Sequence, residues 1–413
     1  MATLSRTPSP QSATDAPPTA APSAAQAIPT PALISAMLKS KGVSDLIFSP
    51  GRAPQIELSG QLVEVKIAGL PTLSPEDTRR IAADLIGRNE HALRKLEQEG
   101  ATDVSYSLPG LSRFRVNIFR QRGTYAIVMR VIPTTIPDFE TLKLPAHLGE
   151  IANLRNGIVL VTGPTGSGKS STLAAILNKI NEEKAYHILT IEDPVEFLHN
   201  HKRSTIHQRE LHSDTPTFAL ALRAALRQAP KVILVGEMRD KETIEIALEA
   251  AETGHLVFST LHTIDASKTV ERIIGAFSLG DQQVIRSRLA KAFRYIISQR
   301  LLPRKDGSGR AAAIEVLKST LRTREYVEKG EGEGKTLVDA MRDGSTEGMQ
   351  HFDGELDKLF RAGIIDLETC MAFATNPGNL RLELTDVIEQ NAEAVNPSPL
   401  EKPAGESELE IVR

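Results

Sequence analysis

The fold of this chain is decided by the stretch Gly163-Pro164-Thr165-Gly166-Ser167-Gly168-Lys169-Ser170. It matches the pattern G-x-x-x-x-G-K-S, in which glycines let successive backbone N–H groups turn toward phosphate oxygens. An apolar run at residues 157–162 precedes it and predicts a buried strand, and the helix-forming residues 171–177 follow it. A strand, a glycine loop and a helix in this order predict a nucleoside triphosphate site at the positive end of the helix.

The loop pattern also suggests what its polar residues do. Lys169 can reach the β- and γ-phosphates, and the hydroxyl of Ser170 can bind Mg²⁺. We therefore predict nucleotide contacts from all eight residues of the stretch and from the two that follow it, Ser171 and Thr172.

Length and composition limit the class of protein. The chain has 413 residues, of which 40% are hydrophobic, enough for two or three domains with cores. Its net charge of -3 argues against a protein devoted to nucleic acid, and its single cysteine, Cys370, excludes a disulfide framework within one chain. We see neither a signal peptide nor an apolar run near the ~18 residues of a transmembrane segment. We expect a cytoplasmic protein.

Shifts in composition divide the chain into parts. Its start, rich in Pro, Ala, Ser and Thr, cannot bury enough apolar surface to fold and is predicted to be disordered. Its centre alternates apolar runs and helical patterns, as a parallel sheet with crossover helices does. The predicted parts are a disordered tail (1–30), a small α/β domain (31–133), a linker (134–147), an α/β nucleotide-binding core (148–317), a helical region (318–390) and a flexible tail (391–413).

Several elements are predicted within these parts. The first domain should contain a hairpin around Ser59-Gly60 and a helical stretch at residues 75–98. The core should contain further strands at residues 188–191, 231–235 and 256–260, with helices at residues 218–228 and 242–252 between them.

Two strands of the core end in acidic residues. The strand at residues 231–235 is followed by Gly236 and Glu237, and the strand at residues 188–191 by Glu192 and Asp193. A carboxylate beside a phosphate loop can hold Mg²⁺ or orient the water that attacks the γ-phosphate. Simple solvated strand ends are the alternative.

Histidines bracket the strand at residues 256–260. His255 and His262 could sense the γ-phosphate or bridge domains, or could be ordinary hydrogen-bonded side chains. Other histidines cluster in sequence, but their spacing fits no standard zinc pattern. These are His187, His199, His201, His207 and His212.

Basic residues are concentrated in two places. Arg113, Arg115 and Arg130 lie on the last strands of the first domain, where a solvated basic face is the default interpretation. A triphosphate site nevertheless needs positive charge beyond one lysine, and a neighbouring domain or subunit often supplies it. A second series is predicted to make the helix after Gly280 basic. This helix could form a subunit contact, bind anionic lipid or have no specific function. It comprises Arg286, Arg288, Lys291, Arg294, Arg300 and Arg304.

Together these motifs resemble one family, the secretion and type IV pilus motor ATPases. Residues 190–197 (TIEDPVEF) are similar to its acidic box, and residues 232–240 (VILVGEMRD) to its atypical Walker B strand. Residues 250–263 are similar to its histidine box, and the arginine-rich residues 113–123 to the end of its PAS-like N-terminal domain. The resemblance covers residues 31–390 and is greatest for the retraction-type pilus motors, since the chain lacks the four-cysteine subdomain of the extension and type II secretion motors.

The resemblance implies a RecA-like P-loop core, a PAS-like N-terminal domain and C-terminal helices. It implies an Mg-dependent ATP hydrolase that assembles as a homo-hexamer with ATP bound between the two domains. Glu192 would then be the catalytic glutamate, Glu237 the Walker B residue, and His255 and His262 would couple nucleotide state to the rest of the motor. Arginines among Arg113, Arg115 and Arg130 would reach the phosphates. The partner would be an inner-membrane pilus platform protein, with the ring held peripherally at that membrane.

Two stretches depart from the family pattern. Residues 321–328 read LRTREYVE, where retraction motors usually carry AIRNLIRE, and Ala229-Pro230-Lys231 replaces the usual acidic Asp-Pro-Asp. Two functions therefore stay open: a motor that retracts a pilus by itself, and an accessory paralogue that acts on a dedicated retraction ATPase. A nucleic-acid-stimulated NTPase is a third possibility, supported only by the basic series. We expect no nucleic-acid partner, because the chain lacks Trp and only 4% of its residues are aromatic.

Overall fold

The structure is a computed structural model, and it describes residues 28–133 and 135–389. The chain divides into two compact units, Met1–Val131 and Ile132–Arg413. The predicted disordered tail lies outside the described residues up to residue 27, and the predicted flexible tail at residues 391–413 lies outside them entirely. Thr30 already begins a helix, because a proline follows it in the first turn, where a missing N–H costs nothing.

The first unit is a helix-covered sheet. Its elements are α1 (Thr30–Met37), β1 (Val43–Phe48), β2 (Gln55–Leu58), β3 (Gln61–Glu64), α2 (Pro75–Ile86), α3 (Glu90–Glu99), β4 (Ala101–Leu108), β5 (Ser112–Gln121) and β6 (Thr124–Ile132). The strands lie in the order β3-β2-β1-β6-β5-β4. Apolar side chains of the three helices and of one sheet face form a single buried cluster that includes Ile34, Leu46, Ile81, Leu96 and Phe114.

The hairpin predicted around Ser59-Gly60 is present between β2 and β3. Leu58 pairs with Gln61, which leaves two residues in the turn. Ser59 and Gly60 have φ values of 51° and 80°. Positive φ at both central residues is the type I′ geometry, whose twist matches that of the flanking strands.

The predicted helical stretch at residues 75–98 is two helices, α2 and α3. Gly87, at the C-terminus of α2, has a φ of 57°, which is favourable for glycine and incompatible with a continuing helix. Asn89 then begins α3, because its side chain accepts a hydrogen bond from the Ala92 N–H at 3.0 Å. The break follows from these two residues, which the apolar periodicity does not reveal.

The second unit contains a seven-stranded sheet and most of the helices. Its elements up to the last strand are β7 (Gly157–Thr162), α4 (Lys169–Glu183), β8 (His187–Glu192), β9 (Thr205–Glu210), α5 (Phe218–Ala225), β10 (Val232–Val235), α6 (Lys241–Glu252), β11 (Leu256–Leu261), α7 (Ala266–Ile274), α8 (Leu279–Ala292), β12 (Phe293–Pro303) and β13 (Arg310–Lys318). The C-terminal helices are α9 (Leu321–Lys329), α10 (Leu337–Asp343), α11 (Phe352–Arg361), α12 (Leu367–Phe373) and α13 (Pro377–Glu383). Short 3-10 helices lie at Ala146–Asn153 and Ser345–Glu347.

The sheet order is β13-β12-β7-β11-β10-β8-β9, and its pairings are parallel except that of β12 with β13. Every residue of β7, β10 and β11 is buried. The side chains of β7 alternate between two apolar clusters, with Ile158 and Leu160 in one and Val159 and Val161 in the other. Because helices cover both faces, these strands read as continuous apolar runs.

Three strands, β9, β12 and β13, are absent from the sequence prediction. The prediction that the basic series from Arg286 to Arg304 lies on one helix is wrong. Helix α8 ends at Ala292, and Phe293 has extended dihedral angles of -67° and 145°. The apolar run that begins at Phe293 pairs with β7 and so belongs to the sheet.

Within the described residues, no helix is both long enough and apolar enough to cross a membrane.

The last three helices, α11 to α13, share a separate apolar cluster with two strands. It joins Leu302 of β12 and Ala313 of β13 to Phe352 and Leu356 of α11 and Cys370 of α12. These last helices thus pack against β12 and the edge strand β13, whereas the buried apolar residues of α9 and α10 belong to one of the two clusters around β7.

Candidate active site

A cleft of about 500 Å³ opens at the carboxyl ends of the parallel strands of the second sheet. The segments that follow Thr162, Glu192, Val235 and Leu261 meet there, because neighbouring parallel strands end at the same edge. Its volume is that of a small-ligand pocket. Its polar walls include Thr165, Gly166, Gly168, Lys169, Ser170, Ser171, Glu192, Glu196, Glu237, Arg239 and His262.

The phosphate loop has a backbone that needs glycine. Gly163, Gly166 and Gly168 have φ values of 144°, 77° and 91°. A Cβ on Gly163 would lie 2.4 Å from the carbonyl oxygen of Gln299 and 2.5 Å from Ser167 Oγ, so no side chain fits there. Helix α4 begins at Lys169, directly after the loop, and its N-terminus lies beside the cleft.

Lys169 is the cation of this loop. Its side chain is buried, and Nζ donates hydrogen bonds to the carbonyl oxygens of Gly163 at 2.9 Å and Pro164 at 3.0 Å. His262 Nδ1 lies 3.4 Å from the same nitrogen. Burial lowers the pKa of Lys169, and the Glu237 carboxylate opposes this shift. The ammonium is thus held by the loop itself at the place where the pattern predicts phosphate binding.

Four predicted nucleotide contacts, Gly163, Pro164, Ser167 and Thr172, do not line the cleft. The Thr172 hydroxyl is buried and accepts a hydrogen bond from Gln299 Nε2 at 2.8 Å, so it supports the loop from behind. The Ser167 side chain is buried against Gly163. The Thr172 hydroxyl therefore faces β12, and the nucleotide contacts of these four residues stay a prediction.

Glu192 ends β8 and is held on several sides. Its Oε1 accepts hydrogen bonds from Thr190 Oγ1 at 2.6 Å and from Gln208 Nε2 at 3.0 Å, and its Oε2 accepts from the Glu196 N–H at 3.4 Å. Burial raises the pKa of Glu192, although these hydrogen bonds favour the ionised form. A fixed carboxyl with a raised pKa can accept a proton from water.

Glu237 follows β10 and faces two basic groups. Its Oε2 lies 2.7 Å from Arg239 Nη2 and 3.4 Å from His262 Nε2. The other ring nitrogen of His262 contacts Lys169, so one imidazole links the carboxylate to the phosphate-loop lysine. Glu237 and Ser170 both line the cleft, and hydroxyl and carboxylate oxygens suit Mg²⁺, which takes few protein ligands and completes its shell with phosphate and water. The residues present therefore fit the predicted cation.

The structure separates the two histidines that bracket β11. His262 lies in the cleft, but His255 precedes the strand and lies at the opposite edge of the sheet, about 20 Å away at 3.3 Å per residue. Its Nδ1 lies 2.9 Å from the carbonyl oxygen of Ala250, at the end of α6. His255 does not line this cleft, because a histidine before a parallel strand lies at the far end from the phosphate loop. Its predicted role in bridging domains or coupling the nucleotide state to the rest of the motor stays a prediction.

Arg113, Arg115 and Arg130 share one face of the first sheet. Their neighbours along the strands, such as Phe114 and Met129, are buried under the helices, so the arginines point to the opposite face. Arg130 Nε is paired with the buried carboxylate of Asp45 at 3.0 Å, although most of the Arg130 side chain is exposed. Their contact with phosphate stays a prediction.

The clustered histidines form contacts but no metal site. His187 Nε2 lies 2.9 Å from His207 Nδ1 across β8 and β9. Burial lowers the pKa of His199, which lines the cleft, to about 4. In the part of the chain that the structure describes, no group of three or more His, Cys, Asp or Glu side chains could hold a metal ion.

The basic series of residues 286–304 is engaged within the chain. Arg288 forms a double hydrogen bond with Glu252, at 2.9 and 2.8 Å. Arg294 donates to the carbonyl oxygen of Lys291 at 2.7 Å and to Asn156 Oδ1 at 3.0 Å. Arg300 lies 3.7 Å from the centre of the Phe352 ring. These residues do not form the continuous basic helix on which the nucleic-acid alternative depended.

Comparison with known proteins identifies the family. Residues 56–350 match the model of the type II/IV secretion system protein family. The chain belongs to this family. It is 45% identical over 323 residues to a twitching motility protein of Neisseria gonorrhoeae, covering 78% of this chain and 84% of that protein. It is 42% identical over 339 residues to the type IV pilus retraction ATPase PilT of Pseudomonas aeruginosa, covering 82% of this chain and 96% of that protein. It is 38% identical over 357 residues to the type IV pilus ATPase PilU of the same organism, covering 86% of this chain and 92% of that protein.

The structure also matches a family member. The crystal structure of the pilus retraction motor PilT with bound ADP gives a TM-score of 0.75 at 42% identity, covering 85% of this chain and 98% of that chain. The predicted RecA-like secretion ATPase fold is confirmed, and the protein is an ATPase of this family.

Sequence reasoning missed three side chains that contact the site. Gln208 bonds to Glu192 from the unpredicted strand β9, and Gln299 supports the loop from the unpredicted strand β12. Arg239 pairs with Glu237. Its position in the sequence, two residues after that carboxylate, could have indicated this ion pair.

Proposed function

We propose that this protein is an ATP-hydrolysing motor that drives retraction of a type IV pilus. The observation that carries the proposal is the meeting of Lys169, Glu192, Glu237 and His262 at one cleft beside the phosphate loop. The similarity to proteins named as a retraction ATPase and as a twitching motility protein supports the pilus as its object.

In the proposed reaction, ATP places its phosphates at the loop and Lys169 neutralises their charge. Bound Mg²⁺ would compensate charge on the phosphates, held on the protein side by Ser170 and Glu237. Glu192 orients the attacking water and accepts its proton, since its carboxyl is fixed by Thr190 and Gln208. His262 contacts both Lys169 and Glu237 and so responds to the occupant of the phosphate position.

The assembly is part of the same proposal. We expect a homo-hexamer at the cytoplasmic side of the inner membrane, bound to a platform protein of the pilus machinery. Residues 31–133 would form its PAS-like domain, and Arg113, Arg115 or Arg130 would supply charge to the phosphates. Hydrolysis would move one domain against its neighbour.

An accessory role is the second candidate. The chain is also similar to PilU, and residues 321–328, which form most of α9, depart from the sequence usual in retraction motors. In this alternative the protein would assist a paralogous retraction ATPase.

The test is steady-state ATPase activity of the purified chain, measured beside its mass by light scattering with and without ATP and Mg²⁺. An active hexamer that restores twitching in a strain lacking its main retraction ATPase supports the autonomous motor. A hexamer that restores twitching only in the presence of that ATPase supports the accessory role. A monomer without hydrolysis under all conditions would refute both.

A further inference from the structure

A buried carboxylate lies behind the nucleotide cleft and has no part in the roles described above. Glu315 is on β13 and is 2% exposed. Its Oε1 accepts a hydrogen bond from the backbone N–H of Ala266 at 2.8 Å. Ala266 is the first residue of α7, so the carboxylate binds one of the N–H groups that a helix leaves without a partner at its start.

The start of α7 is joined to the active site by a short loop. β11 ends at Leu261, and His262 follows at once, four residues before Ala266. Four residues span at most about 14 Å, so the position of Ala266 restricts where the imidazole can lie. That imidazole is within 3.4 Å of both Lys169 Nζ and Glu237 Oε2.

Glu315 also has a link to the phosphate loop. In the sheet, Ser298 of β12 pairs with Thr162 on one side and with Glu315 on the other. The Thr162 hydroxyl donates to Ser298 Oγ at 3.1 Å, and Ser298 lies directly opposite Glu315 in the sheet. Thr162 directly precedes Gly163. Glu315 is therefore bonded to the base of the histidine loop and lies one strand away from Thr162, the residue before the phosphate loop.

We propose that Glu315 is a positioning residue for ATP hydrolysis, which holds the loop carrying His262 at a fixed distance from the phosphate loop. This role presupposes the ATPase activity proposed above. Glu315 does not line the cleft. It acts through Ala266 and His262.

Three variants and one control test this role. Glu315→Ala removes the acceptor, and Glu315→Gln keeps an oxygen that can accept from Ala266. Ala266→Pro removes the donor at the first helical position, where proline is well tolerated, and after a residue that is already extended. Asp366→Ala is the control, because Asp366 accepts a helix-capping hydrogen bond at 2.7 Å from Thr369 on α12, away from the cleft.

Glu315→Ala and Ala266→Pro should lower kcat about tenfold to a hundredfold, as expected for a misplaced catalytic-site group, with little change in KM for ATP. Glu315→Gln should keep kcat within about threefold of the wild type, since its hydrogen bond is retained. In a His262→Ala background, Glu315→Ala should cause no further loss, because the group that it positions is already gone. Hydrogen exchange of residues 262–265 should be faster in Glu315→Ala and Ala266→Pro and unchanged in Asp366→Ala.

The positioning role is refuted if Ala266→Pro retains both wild-type kcat and wild-type exchange, or if the losses from Glu315→Ala and His262→Ala simply add. A folded wild type that hydrolyses no ATP would instead refute the proposed function. The exchange measurement needs no turnover, so it still decides whether Glu315 holds the loop.

Discussion

The buried carboxyl of Glu315 should make the folded chain less stable as pH rises. Burial raises the pKa of Glu315 from its ordinary 4.5 to about 7, and the carboxylate of Asp265 adds to this shift. The Ala266 N–H and the Arg300 guanidinium oppose it. Between these two values the folded chain keeps a proton that the unfolded chain has released. Stability therefore falls as pH rises through this range and is unaffected by Glu315 below about pH 4.

The magnitude follows from the two pKa values of Glu315. At 1.36 kcal/mol per pH unit, the rise from 4.5 to about 7 corresponds to a penalty of roughly 3 kcal/mol above pH 8. Glu315→Gln carries no charge, so this penalty is absent in the variant. The altered hydrogen bonding should cost the variant about 1 kcal/mol of stability. We expect the variant to be about 2 kcal/mol more stable than the wild type at about pH 8, and equal to or slightly less stable than the wild type at about pH 4.

Urea unfolding followed by circular dichroism at the two pH values measures this difference. The control is Glu368→Gln, because Glu368 is exposed on α12, where loss of a solvated charge changes stability little. A Glu315→Gln variant that is less stable than the wild type at about pH 8 would refute the reasoning, since the charge would then contribute more through its partners than burial costs. An equal difference at both pH values would refute it too.

Three further predictions concern the nucleotide site. Lys169→Ala should abolish phosphate release, because the γ-phosphate loses its cation; activity near that of the wild type would exclude this lysine from catalysis. Glu192→Gln should lower turnover by about 10²–10⁴ while binding of a fluorescent ATP analogue persists, and equal rates would remove this residue as the base. Because burial raises the pKa of Glu192, the wild-type rate should fall on acidification at a pH above the ordinary 4.5. Gly163→Ala should lose analogue binding, because its Cβ would meet the Gln299 carbonyl oxygen at 2.4 Å, and retained binding would show that the loop can shift.

Local signals predicted the parts of the site that lie close to the phosphate loop in sequence. The loop needs a strand before it and a helix after it, and both are present. The convergence of Glu192 and Glu237 followed from the geometry of parallel strands, which end at one edge. The same rule could have placed His255 correctly, because a residue before a parallel strand lies at the other edge.

Long-range pairing explains what sequence reasoning missed. Gln208, Gln299 and Glu315 reach the site or its support from strands β9, β12 and β13, far along the chain from the phosphate loop. Their role depends on which strands become neighbours, and apolar periodicity does not determine that order. The charged residues around Phe293 also obscured a buried strand, because Arg294 and Arg300 turn back to carbonyl oxygens inside the chain.

Strand β7, which is buried on both faces between two apolar clusters, has a consequence for local unfolding. Its amides are paired with β11 on one side and β12 on the other, so they are released only when the sheet itself opens. Amide exchange at residues 158–162 should therefore report the global unfolding of the second unit, whereas the edge strand β9 should exchange by smaller openings. The phosphate loop directly follows β7, which is the part of the sheet that opens last. We therefore expect nucleotide to bind and leave repeatedly without unfolding the strand at the base of the loop.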